Sequence, residues 1–423
     1  MRVRRVSRRG LRSTVSNLAG SSAITSRRCT DVMVSHAPIS ADVRPQPKQK
    51  PVFMSMEQTR MQGDSIVVKV CVLGLQTPMW GNRSPLARAG RIARKRGTGY
   101  SDAMTSPLDD FRALVAALPP VDNDASSATL ALFENAGIHG SRLVSIAAQL
   151  AGVTGGKPVA SRPQLAMFAG AHGVARNGVS ERRLDATMAA VSAFGSGDAP
   201  ASYLCAANMV GLKVYDLALH MPTGDIVREP AMDERTCAAT LAFGMEAIAG
   251  GPDIVIISAV RSAGDDVAAH TLLGALLPDV QTGVGLSQNG LIAVADALAR
   301  HKPGVSDALA SLADLGGREI AACAGAIVAA RSEKLPLILD GLTALTAAAV
   351  LHAMNPDALR HCLLAEASDA SMQGVAARLG LEPLVATGTH AGEGTSGVVA
   401  VSVVKDALTM RTGLAAHART ARH

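Results

Sequence analysis

Short apolar runs alternate with alanine-rich stretches from about residue 106 onward, and this alternation constrains the fold more than any other feature of the sequence. The runs contain few polar residues, as is typical of strands that are buried on both faces. A chain that alternates strands with helices builds a parallel sheet with helical crossovers. The sequence therefore predicts an α/β fold with a doubly wound, mostly parallel, Rossmann-like sheet. The predicted strands are residues 165–170, 212–219, 253–260, 335–340 and, from a weaker pattern, 383–388.

The alanine-rich stretches have the length and composition of helices that pack closely on a sheet. Those that precede the first strand are expected to form a smaller helical domain. Only 2% of the residues are aromatic, which argues against a nucleic-acid reader that stacks bases on exposed rings. The predicted helices cover residues 108–118, 141–151, 234–249, 291–301, 318–330, 342–354 and 398–407.

The charge is unevenly distributed along the chain. Residues 1–100 contain 19 Lys and Arg against 4 Asp and Glu, a balance of +15, whereas the remaining residues contain 22 against 31, a balance of −9. Such an Arg- and Ser-rich arm is typical of an organelle transit peptide, and it also suits an electrostatic tether to nucleic acid or to a membrane. A disordered tail or an untranslated upstream stretch is the simpler interpretation, and nucleic acid is not expected as a partner.

These patterns predict three segments. Residues 1–103 form the basic extension, in which an apolar run at residues 66–75 predicts one strand. Residues 104–413 form the α/β body, with its small helical subdomain built from the termini of the body, and residues 414–423 form a tail.

The six cysteines are widely spaced and form no CxxC pair. This spacing matches neither a disulfide framework nor a zinc site, so buried free thiols in a reducing compartment, the cytoplasm, are expected. No uncharged apolar stretch approaches the ~18 residues that span a bilayer, so a soluble body without a membrane partner is expected. The sequence contains no Walker A, HExxH or strand-linked GxGxxG motif, and we expect neither a metal nor a cofactor.

Ligands of parallel α/β sheets bind beyond the carboxyl ends of the strands, which directs attention to residues 169–180, 258–266, 340–343 and 388–397. The last of these loops contains GEGTSG at the start of a predicted helix. Gly392 and Gly394 remove side-chain bulk, so a ligand can approach the backbone. Because a helix N-terminus favours negative charge, Glu393 is expected to be ionised and to accept a proton or a hydrogen bond. A capping carboxylate in a tight turn is the alternative.

Three further loop residues are candidates for the site, each with a structural alternative. His172 directly follows a predicted strand and either positions a ligand, acts as an acid or base, or fixes its loop by hydrogen bonds. Ser180 either caps the next helix or faces the pocket. Asp340 either caps a helix or contacts a ribose hydroxyl. The Gly-Gly pair at residues 316–317 either binds phosphate through backbone N–H groups or marks the start of a helix.

Taken together, the ordered loops resemble the nicotinate-nucleotide:dimethylbenzimidazole phosphoribosyltransferase family, which builds the lower nucleotide of cobalamin. The resemblance extends from about residue 106 to about residue 408. It rests on the order and spacing of six blocks: LAMFAGAHGVARNGVS (165–180), PAMDERTCA (230–238), LGGREIAACAGAIVAA (315–330), PLILDGLTALTAAA (336–349), LGLEPL (379–384) and GEGTSG (392–397).

The resemblance implies transfer of phosphoribose from nicotinate mononucleotide to 5,6-dimethylbenzimidazole, with an α-ribotide and free nicotinate as products. It also implies a doubly wound α/β domain with a small helical domain, usually as a homodimer. Glu393 matches the general base of the family. Ser180 matches a residue near the benzimidazole, and Ser368 falls near a serine that contacts phosphate.

The sequence also departs from the pattern of the family. The loop that reads GEMGIGNTT in the family is SAVRSAGDD at residues 258–266, with Ala259 in place of the glutamate. Arg261 could supply a phosphate contact instead, whereas Asp265 and Asp266 would repel a phosphate. Val294 replaces a lysine, and the loss of one charge-assisted contact is worth about 1.5–3 kcal/mol.

Two hypotheses therefore stand. The first is a divergent phosphoribosyltransferase with Glu393 as its base. The alternative is a catalytically decayed protein of the same fold that binds a base or serves as a scaffold. Formation of an α-ribotide from nicotinate mononucleotide and dimethylbenzimidazole separates them.

Overall fold

A computed structural model describes residues 69–72, 106–301, 307–389 and 393–420, and of residues 69–72 it describes the backbone alone. Within these residues, six strands form one parallel sheet. The strands are β1 (Lys69–Val72), β2 (Pro163–Ala169), β3 (Gly211–Asp216), β4 (Ile254–Ala259), β5 (Leu337–Leu339) and β6 (Cys362–Leu364). Their order across the sheet is β1-β3-β2-β4-β5-β6.

Thirteen α-helices surround the sheet in the described part of the chain. Aspartates begin several of them, because a carboxylate at this position accepts an N–H group that has no acceptor inside the helix. Asp122 accepts from the N–H of Ala125 (2.9 Å), and Asp369 accepts from that of Met372 (2.8 Å). The helices are α1 (Asp109–Ala116), α2 (Asn123–Glu134), α3 (Arg142–Thr154), α4 (Leu184–Ser196), α5 (Pro200–Asn208), α6 (Glu234–Gly244), α7 (Asp265–Leu276), α8 (Gln288–Arg300), α9 (Ala308–Leu315), α10 (Arg318–Ser332), α11 (Gly341–Met354), α12 (Ala370–Leu379) and α13 (Thr395–Thr420).

Helices cover both faces of the sheet, which explains why the central strands β2 and β4 are apolar at nearly every position. Successive side chains of a strand point to opposite faces. In β4, Ile254 and Ile256 pack in one core with α2, α3, α5 and α13, whereas Val255 and Ile257 pack in a second core with α6, α7, α10 and α11. All four side chains are fully buried. The α2 and α3 helices also pack against α13, so the first and last parts of the body lie together.

The structure confirms the α/β fold and the parallel sheet, and four predicted strands contain or overlap β2, β3, β4 and β5. The predicted strand at residues 383–388 is wrong, because this segment makes only an isolated bridge from Pro383 to Leu364. The N–H groups of Leu384 and Val385 donate to the carbonyls of Leu364 and Ala365, but residues 386–388 are solvent-exposed and do not continue the pairing. The sixth strand is instead β6, which was not predicted.

Other predictions differ from the structure in extent or lie outside the described residues. The last helix, predicted at residues 398–407, is α13 and extends from Thr395 to Thr420. The strand β1 lies within the apolar run predicted at residues 66–75. The rest of the basic extension lies outside the described residues, as does Gly392. Among the described helices, none is long and apolar enough to cross a membrane.

The order of the strands places a switch point between β2 and β4. The chain leaves β2 for β3 on one side and later continues through β4, β5 and β6 on the other side. The loops that follow β2 and β4 therefore diverge, and such a crevice at the carboxyl ends of the strands is where doubly wound sheets bind ligands.

Candidate active site

A cavity of about 270 Å³ opens at the carboxyl ends of β4, β5 and β6, next to this switch point. Its walls come from the residues that follow these strands, from the first turn of α11 and from the turn before α13. Most of the ionisable side chains in the lining are carboxylic acids. These side chains are Arg261, Asp265, Asp266, His270, Asp340, Glu366, Asp369 and Glu393.

Glu393 occupies the turn that leads into α13. Its backbone is left-handed, with a φ of 53°, a conformation that a residue other than glycine adopts only where its surroundings impose it. The N–H of Arg261 donates to Glu393 Oε1 (3.0 Å), which ties the carboxylate to the loop after β4. The Glu393 carboxylate therefore has a defined position in the cavity wall.

Asp340 follows β5 and is buried beneath this turn, with 2% of its surface exposed. It contacts the N–H groups of Gly394 and Gly397 and the hydroxyl of Ser258. Its Oδ2 atom is buried and has no hydrogen-bond partner among the described residues. Burial raises the pKa of Asp340 to about 7, although these hydrogen bonds oppose the rise. The side chain makes no capping hydrogen bond to α11, so the capping interpretation of Asp340 is wrong.

Glu366 follows β6 and connects the two ends of the segment that carries Glu393. Its carboxylate accepts hydrogen bonds from Ser396 Oγ (2.6 Å), Thr387 Oγ1 (2.6 Å) and the N–H of Gly388 (2.7 Å). Burial alone would raise the pKa of Glu366, but these hydrogen bonds outweigh it and the pKa lies below its ordinary value. Glu366 is therefore an ionised anchor of the turn before α13.

The loop after β4 brings one guanidinium into this group of carboxylates. Arg261 Nη2 donates to Asp266 Oδ2 (2.8 Å), and both side chains are about two-fifths exposed, at 41% and 42%. Asp265 is buried, and its Oδ2 accepts from the N–H of Ser262 (3.1 Å). Burial and the neighbouring Asp266 raise the pKa of Asp265 to about 7. The substitute phosphate contact proposed for Arg261 is thus already paired with a carboxylate.

His172 is buried against Glu319 and does not belong to the cavity lining. His172 Nε2 and Glu319 Oε1 are 3.2 Å apart, and both side chains are 1% exposed. Burial alone would lower the pKa of His172, but the Glu319 carboxylate outweighs it and raises the pKa. Burial would raise the pKa of Glu319, and the charge of His172 lowers it instead. The two groups form an interior ion pair.

The Gly-Gly start of α10 makes room for this pair. A Cβ atom on Gly317 would lie 2.5 Å from His172 Cε1 and would overlap Glu319. Gly317 is the N-terminal flanking residue of α10, and Glu319 lies in the first turn. The space that a phosphate would need at this helix N-terminus is therefore occupied by the Glu319 carboxylate.

The two predicted serines, Ser180 and Ser368, lie in different surroundings. Ser180 is exposed, and its Oγ accepts from the N–H of Arg182 (3.1 Å). The next helix begins at Leu184 without a side-chain cap, so the capping interpretation of Ser180 is wrong. Ser368 lines the cavity with its Oγ 3.5 Å from Met372 Sδ.

Asp340, Ser368 and Glu393 thus line the same cavity, whereas Ser180 and His172 lie outside its lining. Gly394, with a φ of 86°, follows Glu393, and a Cβ atom there would lie 2.5 Å from Leu165 Cδ2. Among the described residues, no cluster of three or more His, Cys, Asp and Glu side chains is placed to hold a metal ion.

Glu366 is a site residue that was not predicted. The available signal was its position directly after a short apolar run, but three residues are too few to show the period of a strand. Ser258 and Ser396 lay within loops that were already candidates, yet their contacts depend on segments far apart in the chain. Ser258 accepts a hydrogen bond from the N–H of Gly394, 136 positions away (3.1 Å).

Comparison with known families gives one match over most of the described body. A family model described as phosphoribosyltransferase matches residues 121–421. The match lies outside the basic extension and contains β2 to β6, together with every lining residue of the cavity.

Enzymes named nicotinate-nucleotide–dimethylbenzimidazole phosphoribosyltransferase are similar to this chain. Those of Brucella melitensis biotype 2 and Brucella canis are 46% identical over 323 residues, which cover 73% of this chain and 95% of each relative. The enzyme of Brucella anthropi is 45% identical over the same length and share of each chain.

Two crystal structures from Thermus thermophilus share the fold. That of CobT superimposes with a TM-score of 0.61 and 27% identity, covering 68% of this chain and 95% of the other. That of a nicotinate-nucleotide-dimethylbenzimidazole phosphoribosyltransferase superimposes with a TM-score of 0.64 and 26% identity, covering 69% and 96%.

Proposed function

This chain belongs to the nicotinate-nucleotide–dimethylbenzimidazole phosphoribosyltransferase family, and we propose that Glu393 is the general base with which it transfers phosphoribose from nicotinate mononucleotide to 5,6-dimethylbenzimidazole. The products are an α-ribotide for cobalamin assembly and free nicotinate. The observation that carries the proposal is the Glu393 carboxylate, which the N–H of Arg261 holds in the wall of a cavity at the switch point of the sheet.

The reaction exchanges one C–N bond for another. The bond from ribose C1 to the pyridinium nitrogen breaks, and its electron pair stays on the nitrogen of the departing nicotinate. One benzimidazole nitrogen forms the new bond to C1, after which the other nitrogen must lose its proton. A carboxylate that faces the base accepts this proton, which is the role of Glu393.

The charge of the cavity suits this chemistry. Six lining side chains carry a carboxyl group and one carries a guanidinium, and that guanidinium is paired with Asp266. Positive charge develops on the ribose as nicotinate departs, and carboxylates arranged in advance around it lower the energy of this state. Glu366 and Glu393 contribute in this way without reorganising, because hydrogen bonds already hold both of them.

The phosphate of the substrate needs donors that replace the missing lysine. Gly341, Leu342 and Thr343 form the first turn of α11 and line the cavity. The first N–H groups of a helix have no acceptor inside it and bind anions well. We assign the phosphate to this turn together with the hydroxyl of Ser368, and the ribose hydroxyls to the side of the cavity that Asp340 lines.

The benzimidazole is assigned to the side of the cavity that adjoins Ser180. Ser287 Oγ donates to the carbonyl of Val179 (2.9 Å), and this bond joins the Ser180 segment to the segment that contributes Val284 and Gly285 to the lining. His172 holds the start of this loop through its pair with Glu319. Gly394 lets the turn beside Glu393 lie against Leu165, where a Cβ atom would overlap that side chain.

Turnover by the full-length protein tests the proposal. Nicotinate mononucleotide and dimethylbenzimidazole should yield an α-ribotide and nicotinate, both measured by chromatography with mass detection. Glu393→Gln should lower kcat about 10²- to 10⁴-fold, because a positioned base contributes that much. The control is Glu382→Gln, since Glu382 is exposed and paired with Arg142 (3.2 Å) away from the cavity. Absence of product from the unaltered protein, or an undiminished kcat in Glu393→Gln, would overturn the assignment.

We further propose a cytoplasmic homodimer. The four cysteines whose side chains are described are free and buried, as suits a reducing compartment.

The homodimer is supported by exposed apolar side chains. Met188 and Tyr203 are large side chains of α4 and α5 that are 55% and 62% exposed, and self-association would cover them. Light scattering should give twice the mass of one chain. The mass of a single chain would contradict the homodimer. A fluorescent fusion found outside the cytoplasm would contradict the cytoplasmic location.

A further inference from the structure

A second cavity of about 350 Å³ lies at the opposite edge of the sheet. The α10 helix has 15 residues and is therefore about 22 Å long; it begins beside the loop after β2 and ends just before β5 begins. Its last turn consequently lies at the amino ends of the strands. This amino-edge cavity is lined by Arg331 from that turn, by residues 118–123 before and at the start of α2, and by residues 355–360.

Arg331 is the unusual member of this lining. Its surface is 2% exposed, and its Nε and Nη1 atoms are buried without a hydrogen-bond partner among the described residues. A guanidinium does not lose its proton in proteins, and a buried charge without a partner is strongly unfavourable. The C-terminal end of α10 favours a cation there, but it supplies no hydrogen bond to these two nitrogens. Such an orphaned group indicates a missing acceptor.

The carboxylate in the cavity does not supply that acceptor. Asp357 accepts from Arg360 Nε (3.0 Å), and both side chains are largely exposed at the rim. The amide of Asn355 is also engaged, because its Nδ2 donates to the carbonyl of Val115 (3.2 Å) and its Oδ1 accepts from the N–H of Asp357 (3.0 Å). The lining thus has two guanidinium groups and one carboxylate, and the carboxylate is paired.

The remaining wall of the cavity suits the apolar part of a small molecule that carries an anionic group. Residues 118–121 read LPPV and form an apolar surface. Asn123 begins α2, a helix of 12 residues whose N-terminus favours a negative charge. The volume is near the lower end of the range for small-molecule sites, which suits a ligand of about one ring.

We propose that the amino-edge cavity binds a small molecule that carries a carboxylate or phosphate group, whose oxygen atoms accept hydrogen bonds from the Arg331 guanidinium. The site is separate from the cavity of Glu393, because the two lie at opposite ends of the strands. Nicotinate and inorganic phosphate are suitable probes of the two chemistries, since one is a ring that carries a carboxylate and the other a free phosphate.

Calorimetric titration of each probe into the full-length protein tests the site. Arg331→Met should weaken binding of at least one probe about tenfold or more, the effect of losing a charge-assisted contact, and should leave turnover unchanged. A probe that binds at the cavity of Glu393 does so equally in the unaltered protein and in Arg331→Met. The difference in affinity between these two proteins therefore reports the amino-edge cavity alone. The control is Arg378→Gln, because Arg378 is exposed and pairs with Asp279 elsewhere (3.5 Å).

The outcomes identify the ligand class or overturn the site. Arg331-dependent binding of nicotinate alone indicates a carboxylate ligand, and such binding of phosphate alone indicates a phosphate ligand. If neither probe binds in a manner that depends on Arg331, the proposal is wrong. Should Arg331→Met fail to fold, Arg360→Gln at the exposed rim should weaken binding several-fold, and an unchanged affinity would overturn the proposal equally.

Discussion

The two ends of α10 carry the same residue type in opposite circumstances. Arg318 at the first turn is 8% exposed, and its Nη1 donates to the carbonyl of Met221. Its neighbour Glu319 is paired with His172. Arg331 at the last turn is 2% exposed, and two of its nitrogens have no acceptor among the described residues. Glu319 and His172 make no hydrogen bond with good geometry, but their opposite charges lie 3.2 Å apart. Arg331 has no carboxylate at such a distance among the described residues, and its partner is proposed to come from outside.

Removing the charge of Glu319 should produce the largest effect on stability. Glu319→Gln leaves His172 buried without its counter-ion, and breaking a buried pair in this way destabilises a protein by about 3–5 kcal/mol. Urea unfolding measures the difference. Glu333→Gln is the control, because Glu333 is exposed just after the same helix and should change stability by less than about 0.5 kcal/mol. Equal losses in both variants would show that the pair stabilises nothing.

Neutralising Glu366 should have the next largest effect. Glu366→Gln keeps the size of the side chain but weakens charge-assisted hydrogen bonds from Ser396, Thr387 and Gly388, each worth about 1.5–3 kcal/mol. Because these bonds anchor the turn that carries Glu393, kcat should fall about tenfold. Asp369→Asn is the comparison within the same cavity wall. A Glu366→Gln protein with unchanged stability and kcat would remove the anchoring role.

The two arginines of α10 give the most direct test of the comparison. Arg318→Met leaves the carbonyl of Met221 without its donor and should lower stability by about 1–3 kcal/mol. Arg331→Met removes a buried charge that has only a coulombic attraction to Asp357 and two nitrogens without acceptors, so it should leave stability unchanged or raise it. Thermal unfolding of both variants without added anions measures the contrast. A larger loss in Arg331→Met than in Arg318→Met would reverse the comparison.

The smallest expected effect is a dependence of stability on pH. Burial raises the pKa of Asp340 and Asp265 from the ordinary value of 3.8 to about 7, so the folded protein keeps protons that the unfolded chain has lost. These two groups therefore lower stability as the pH rises from about 4 to about 7. The raised pKa of His172 acts in the same direction, because its contribution is lost as the pH rises through that pKa. The buried His361 acts oppositely up to about pH 6.5, because burial lowers its pKa from 6.5 to about 3. The lowered pKa values of Glu319 and Glu366 also act oppositely, but below the ordinary glutamate value of 4.5.

Urea midpoints between about pH 5 and about pH 8 measure this slope. Between about pH 5 and about pH 7, the unaltered protein should lose stability relative to Asp340→Asn as the pH rises, because only the unaltered protein holds the Asp340 proton. An identical slope in both proteins would show that Asp340 ionises normally in the folded state.

Much of the scaffold was predictable because it is encoded locally. The residues of β2 and β4 are apolar at nearly every position, and only burial on both faces selects such a pattern. The strand β6 has only three residues, too few to show this pattern, and it was not predicted. Glu366 was missed for the same reason, because site residues were sought only after predicted strands. The run at residues 383–388 gives the opposite error, because only its first residues pair with β6 and residues 386–388 are solvent-exposed. A local apolar pattern does not show whether a ladder continues.

The α/β class, the family and the position of Glu393 in a glycine-rich loop before a helix can all be read from the sequence. Which charges meet can be read only from the packed structure: Arg261 meets Asp266, His172 meets Glu319, and Nε and Nη1 of Arg331 have no acceptor among the described residues. Burial follows a short period along the chain, which the sequence displays. An electrostatic partner depends instead on how distant segments pack, as in the pair of His172 and Glu319, and no local pattern records it.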